Sequence, residues 1–158
     1  MTASIRHLQT FVAIVSLALT AAISASADQL PGTAEEAKDM VARAIAYYDE
    51  HSAEKAFEKF TDNPSPEFFE RDLYIFVIAM DSESIVAHAV NSSLIGSDIK
   101  LYIDNDGREF GKKMLKTATE NGTWIKYKSK MLDGKVRSKS SWMVLHDGHL
   151  FGVGVYKY

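Results

Sequence analysis

The chain has 158 residues, 46% of them hydrophobic and 25% charged, with a formal net charge of −3. These proportions fit one ordinary globular domain and exclude a disordered chain, a collagen-like chain or a strongly basic nucleic-acid binder. The sequence holds no cysteine, which removes disulfides, thiolate nucleophiles and thiolate metal sites, so packing alone must hold the fold.

The first segment stands apart from that domain. Arg6 and His7 precede the uncharged run FVAIVSLALTAAI, and Ala25-Ser26-Ala27 ahead of Asp28 forms an A-x-A cleavage site. The apolar run is shorter than the roughly 20 residues of a spanning helix, and it leaves through small residues. Residues 1–27 therefore read as a secretory signal peptide, and residues 28–158 as one periplasmic or secreted domain.

A helix comes first in the mature chain. Thr33 with Glu36 three residues on is a capping-box signature, and Ala37, Met40, Val41, Ala44, Ile45 and Tyr48 fall on one buried stripe. After His51 and Ser52 the spacing predicts a second, shorter helix with Ala53, Ala56, Phe57 and Phe60 on its apolar side. The TDNPSP stretch stops it, because Pro64 and Pro66 cannot continue a helix.

The period then changes from helical to extended. LYIFVIAM and IVAHAV, separated by the turn-like DSES, read as an antiparallel pair, with Ile85, Ala87 and Ala89 on one face and Val86, His88 and Val90 on the other. The stretch NSSLIGSDIKLYIDNDG is loop-like, and Asp106 and Glu109 can cap a helix bearing Phe110, Met114, Leu115 and Ala118, ended by Asn121-Gly122. Three strands close the chain, WIKYKSK, SKSSWMVL and LFGVGVYKY, joined at Asp133-Gly134 and Asp147-Gly148. The order predicts an α+β domain: an antiparallel sheet with the amphipathic helices on one face and a helical insertion on the other. A sheet clasped on both sides leaves room for a small cavity.

RDLYIFV, then AHAVNSSLIG with its H, N and LIG in order, then SKSSWMVL and the closing FGVGVYKY together resemble the single Cache domains. These are extracytoplasmic relatives of PAS domains that sense small molecules. The resemblance spans Thr33 to Tyr158, and it implies a PAS-like five-stranded antiparallel sheet with a long N-terminal helix. It also implies a small ligand, often an organic acid or another metabolite, held between sheet and insertion. Cache domains usually sit in receptors between two membrane helices, and no second apolar span follows here. The expectation is a free-standing form whose output passes through a membrane-bound signalling partner or a homodimer formed on the first helix.

The resemblance also changes the reading of His88. By itself, a histidine in an apolar strand is a core-edge residue satisfied by a backbone carbonyl. In a ligand pocket the same imidazole can donate to a carboxylate, and binding then favours its protonated form. An acid ligand further needs a cation and hydroxyl donors. Lys139 is the expected counter-charge, with His88, Tyr74 and Ser141 as donors and Phe76 with Trp124 as apolar walls; Tyr127 and Arg71 complete the candidate set.

Other constellations carry less. His146 and His149 flank Asp147-Gly148, and a turn between strands accounts for them better than a metal. Asp104-Asn105-Asp106-Gly107 resembles a calcium loop, but an EF-hand register puts Tyr102 first and Lys113 where the bidentate Glu belongs. Ser52 and Lys55 match S-x-x-K with no S-D-N or K-T-G beside them. No nucleophile next to a base and no paired carboxylates carry a supporting motif, so catalysis is not expected, nor any cofactor or metal. The alternative to a ligand-binding sensor is a protein-interaction or accessory subunit of an exported assembly. Such a module would fill the space beneath the insertion with side chains and expose an apolar patch elsewhere.

Overall fold

The computed structural model describes residues 30–62, 66–131 and 133–157. The signal-peptide segment lies outside the described residues.

Helix α1 runs Ala34–Glu50 behind the capping box that the sequence implies: Thr33 accepts from the Glu36 amide while the Glu36 side chain accepts from Thr33. Its buried stripe includes Ala37, Met40, Val41, Ala44 and Tyr48. Helix α2, Ala53–Thr61, starts at Ser52, whose hydroxyl accepts from the Lys55 amide at 3.3 Å. That bond gives the S-x-x-K match a plain structural reason, a helix cap.

Six strands follow: β1 Phe69–Glu70, β2 Leu73–Ala79, β3 Ser84–His88, β4 Thr123–Lys130, β5 Val136–His146 and β6 His149–Tyr156. Their order is β1-β2-β6-β5-β4, with β3 also on β2, and every pairing is antiparallel. The sheet is PAS-like as expected, with one strand more than the expected five. The extra one is the two-residue β1, which folds back onto β2 through Arg71 at φ 59. The Asp147-Gly148 turn joins β5 to β6 with both residues at positive φ, the geometry that Asp-Gly favours.

All seven residues of β2 are buried, because both faces of the sheet are covered. On one face α1 lies across β6, β5 and β2, and α2 across β3 and β2. Met40, Val41, Ala44 and Phe60 pack there with Ile75, Val77, Phe151 and Val153. The other face carries the insertion between β3 and β4, which contains helix α3, Phe110–Thr117, and single-turn helices at Ser92–Leu94 and Ile99–Leu101. Ile99 and Met114 of the insertion meet Phe76, Ile78, Ile125 and Leu150 of the sheet.

Three local expectations are corrected. The register between β2 and β3 shifts after Val77, which faces Ala87 while Ile78 faces Ile85, leaving Val86 as the extra residue of a bulge. Simple alternation therefore fails, and Ile85 shares the insertion side with Phe76 while Val86 packs toward the helices. Helix α3 takes no side-chain cap from Glu109. The ordering carboxylate is Asp104, which accepts from the amides of Asp106, Arg108 and Lys128 at 2.9, 3.0 and 3.1 Å. Asp106 instead pairs with Lys128 and Arg108. Finally, α3 ends at Thr117, with Ala118 as its C-cap, rather than at Asn121-Gly122. Gly122 sits at φ 78, and a β-carbon there would overlap the Trp142 ring, so its role is packing rather than termination.

Candidate functional site

A cavity of about 620 Å³ lies between the sheet and the insertion. Two glycines on β6 shape its floor. Gly152 and Gly154 stand two apart on the insertion side; a β-carbon on Gly152 would overlap the Phe76 ring, and one on Gly154 would overlap Lys139 Cε. Without those β-carbons, side chains of the flanking strands β2 and β5 can lie across β6 and meet.

Lys139 uses that corridor. Only 2% exposed, it lines the cavity, and its Nζ donates to Tyr74 Oη at 2.6 Å. The ammonium lies 3.9 Å from the Tyr74 ring centroid and 4.9 Å from that of Tyr156. Tyr74 Oη and Tyr156 Oη are 3.3 Å apart. Among the described residues no carboxylate comes within ion-pair distance of Lys139. A buried cation is thus held by one hydroxyl and two aromatic faces, an arrangement that an anion would complete.

His88 sits opposite Phe76 across the β2–β3 pair, with its ring 5.2 Å from that of Tyr74. Its Nδ1 accepts from the amides of Val90 and Asn91 at 3.4 and 3.2 Å. With Nδ1 accepting, the neutral ring carries its proton on Nε2, a donor on the edge away from the backbone. Burial first, and the charge of Lys139 second, push its pKa down to about 4. The imidazole is therefore neutral near pH 7 in the ligand-free protein.

Tyr127 closes one wall, stacked on Phe110 of α3 at 4.3 Å and 4° and bonded to Ser141 Oγ at 2.9 Å. Burial pushes the phenols of Tyr74, Tyr127 and Tyr156 up, so all three remain hydroxyl donors at neutral pH. Arg71 lies at the cavity rim and pairs with Glu36 of α1 at 2.6 Å. The Thr33 amide and then Arg71 hold the Glu36 carboxyl below the usual carboxylate range.

Of the eight sequence-derived candidates, Tyr74, Phe76, His88, Tyr127, Lys139 and Arg71 line this one cavity. Two are placed differently. Ser141 is fully buried behind the wall, where its hydroxyl orients Tyr127. Trp124 is on the helix-covered face, packed on its cross-strand partner Trp142 at 5.5 Å. Strand alternation explains this: Trp124 and Tyr127 are three apart on β4 and point to opposite faces. Tyr156 and the glycine pair escaped the sequence reading, although Gly152, Gly154 and Tyr156 repeat at a period of two.

The histidines of the β5–β6 turn serve another purpose. His146 Nε2 is 2.6 Å from Asp49, and Tyr48 donates to Asp147 at 2.7 Å, so the turn is tied to the end of α1. Burial and the bond to Asp147 push the Tyr48 phenol up to about 12. Among the described residues no group of three or more potential ligands could hold a metal ion, and no helix is long and apolar enough to cross a membrane.

The chain matches the family model described as Single Cache domain 2 over residues 8–146. No curated protein sequence matches it. Among solved structures it is similar to a methyl-accepting chemotaxis protein from Vibrio parahaemolyticus, with 16% identity and a TM-score of 0.64, covering 77% of this chain and 86% of that one. It is also similar to a structure described as the periplasmic sensor domain of a chemotaxis protein, with 20% identity and a TM-score of 0.53, covering 78% of this chain and 90% of that one.

Proposed function

The chain belongs to the single Cache domain family of extracytoplasmic sensor domains, and from that premise we propose that it binds a small organic acid in the cavity beneath its insertion, in the periplasm or outside the cell, without catalysis. The observation that carries this reading is Lys139, a cation buried against the cavity with no carboxylate partner among the described residues. An incoming carboxylate would take the ammonium as counter-charge and the hydroxyls of Tyr74 and Tyr156 and the Nε2–H of His88 as donors. Tyr127 and Phe76 form walls.

The cavity also supports the sensor over the interaction module, which calls for that space to be filled. A route for output through Arg71 is supported by its reach from the cavity lining to Glu36 in the first turn of α1. A ligand that prefers one placement of Arg71 shifts α1 by no more than that preference. The reader of that shift is a membrane-bound signalling partner or a second copy docked on α1.

The test is a thermal-shift screen of the protein against acetate, propionate, pyruvate, lactate, amino acids and amines. A ligand bound only by the folded state raises the midpoint by mass action. Shifts confined to carboxylates support the reading. Shifts with amines alone, or none from folded protein, contradict it.

A further inference from the structure

The two ends of the cavity differ in chemistry. At one end Lys139, Tyr74, Tyr156 and His88 converge through the contacts described above. At the other, Phe76, Ile85, Leu94, Ile99, Phe110 and Met114 come from the sheet and the insertion into one apolar cluster. The buried charge is equally one-sided. Arg71 at the rim is matched by Glu36, Lys130 is solvent-exposed, and of the two lining carboxylates Asp133 is exposed and Asp72 accepts from the Gly32 amide at 2.7 Å, so Lys139 is the buried lining cation with no described carboxylate within ion-pair distance. One anionic group satisfies the polar end, and a second would have no buried cation to meet.

Size gives the rest of the specification. The 620 Å³ is roughly twenty times the ~30 Å³ share of a liquid water molecule. An acid of two or three carbons seated on Lys139 would leave the apolar end to water, against side chains that give water no hydrogen bond. Resting on the acid-binding reading above, we propose that the ligand is an amphiphilic monocarboxylate, with its head on Lys139 and a linear, branched or aromatic hydrocarbon body longer than that of a two- or three-carbon acid between sheet and insertion.

Calorimetric titration of the whole protein with the linear carboxylates from acetate to octanoate, and with phenylacetate, tests the proposal. Each methylene moved from water into the apolar end should tighten binding about fourfold until the body fills the space. Hexanoate should then bind some fifty- to hundredfold more tightly than propionate. Equal affinity for acetate and hexanoate overturns this inference and leaves the acid-binding reading intact. Failure of every acid, at any length, overturns both.

Discussion

Lys139 and Tyr74 stand on strands that are not neighbours, yet Nζ and Oη meet at 2.6 Å across the face of β6. The contact exists because Gly154 lies between them and presents no side chain. A single backbone position thus decides whether the buried cation reaches the cavity.

Gly154→Ala should therefore act on the site before it acts on the fold. The added methyl overlaps Lys139 Cε and crowds Ser141 Oγ at 2.7 Å, so the lysine must leave its position. Acid affinity should fall at least tenfold, with a stability loss of about 1–3 kcal/mol from overpacking. Calorimetric titration and urea unfolding of the same variant measure the two effects.

The depressed pKa of His88 makes stability depend on pH in a defined window. The folded state holds the ring neutral down to about pH 4, while the unfolded ring takes up a proton near its ordinary 6.5. The unfolded state therefore binds more protons between these values. The stabilisation is complete above about pH 6.5 and is lost as pH falls toward 4, by on the order of 3 kcal/mol. His88→Gln should flatten this part of the curve of unfolding free energy against pH, and an unchanged slope contradicts the assignment.

Binding should move the same proton. A carboxylate on Lys139 cancels one of the two influences that depress His88, so its pKa rises in the complex. At about pH 5 the free acid is itself part-protonated and gives up that fraction on binding, so uptake by His88 should appear as a smaller net release in the wild type than in His88→Gln, and neither should exchange protons at pH 8. Titrations in buffers of different ionisation enthalpy read this difference, and equal release by the two proteins at pH 5 contradicts it.

Asp104 holds the insertion in register. Burial pushes its carboxyl up, but the amides of Arg108, Lys128 and Asp106 together hold it below its ordinary value. Asp104→Ala leaves those three amides without their acceptor. Urea unfolding should show a clear loss of stability, with faster amide exchange in α3 than in α1.

Most of the architecture was legible because its signals are local. Thr33 and Glu36 mark the start of α1, and Asp147-Gly148 marks a hairpin, through chemistry confined to a few residues. Part of the cavity lining was legible, since His88 and Tyr74 stand out as polar groups in apolar strands, whereas Lys139 lies in a polar run from Arg137 to Ser141 that only pairing with β6 buries. Trp124 misled the reading because its size outweighed its parity relative to Tyr127. The side on which Ile85 lies depends on a bulge that alternation cannot express, since the extra residue exists only relative to a partner strand. Asp104 was hidden for a similar reason: one of its three donors, Lys128, is 24 residues away on β4.

The central claim is that Lys139 is the counter-charge for a bound acid. Calorimetric titration of the tightest-binding carboxylate and of its neutral amide, against the wild-type protein and Lys139→Met, tests it most directly. Methionine keeps an unbranched stem and removes the charge, so the fold should persist with Tm unchanged or raised. The wild type should bind the acid at least tenfold more tightly than the amide, and the variant should bind both equally weakly. A folded Lys139→Met protein that still prefers the acid by the same factor would contradict the account.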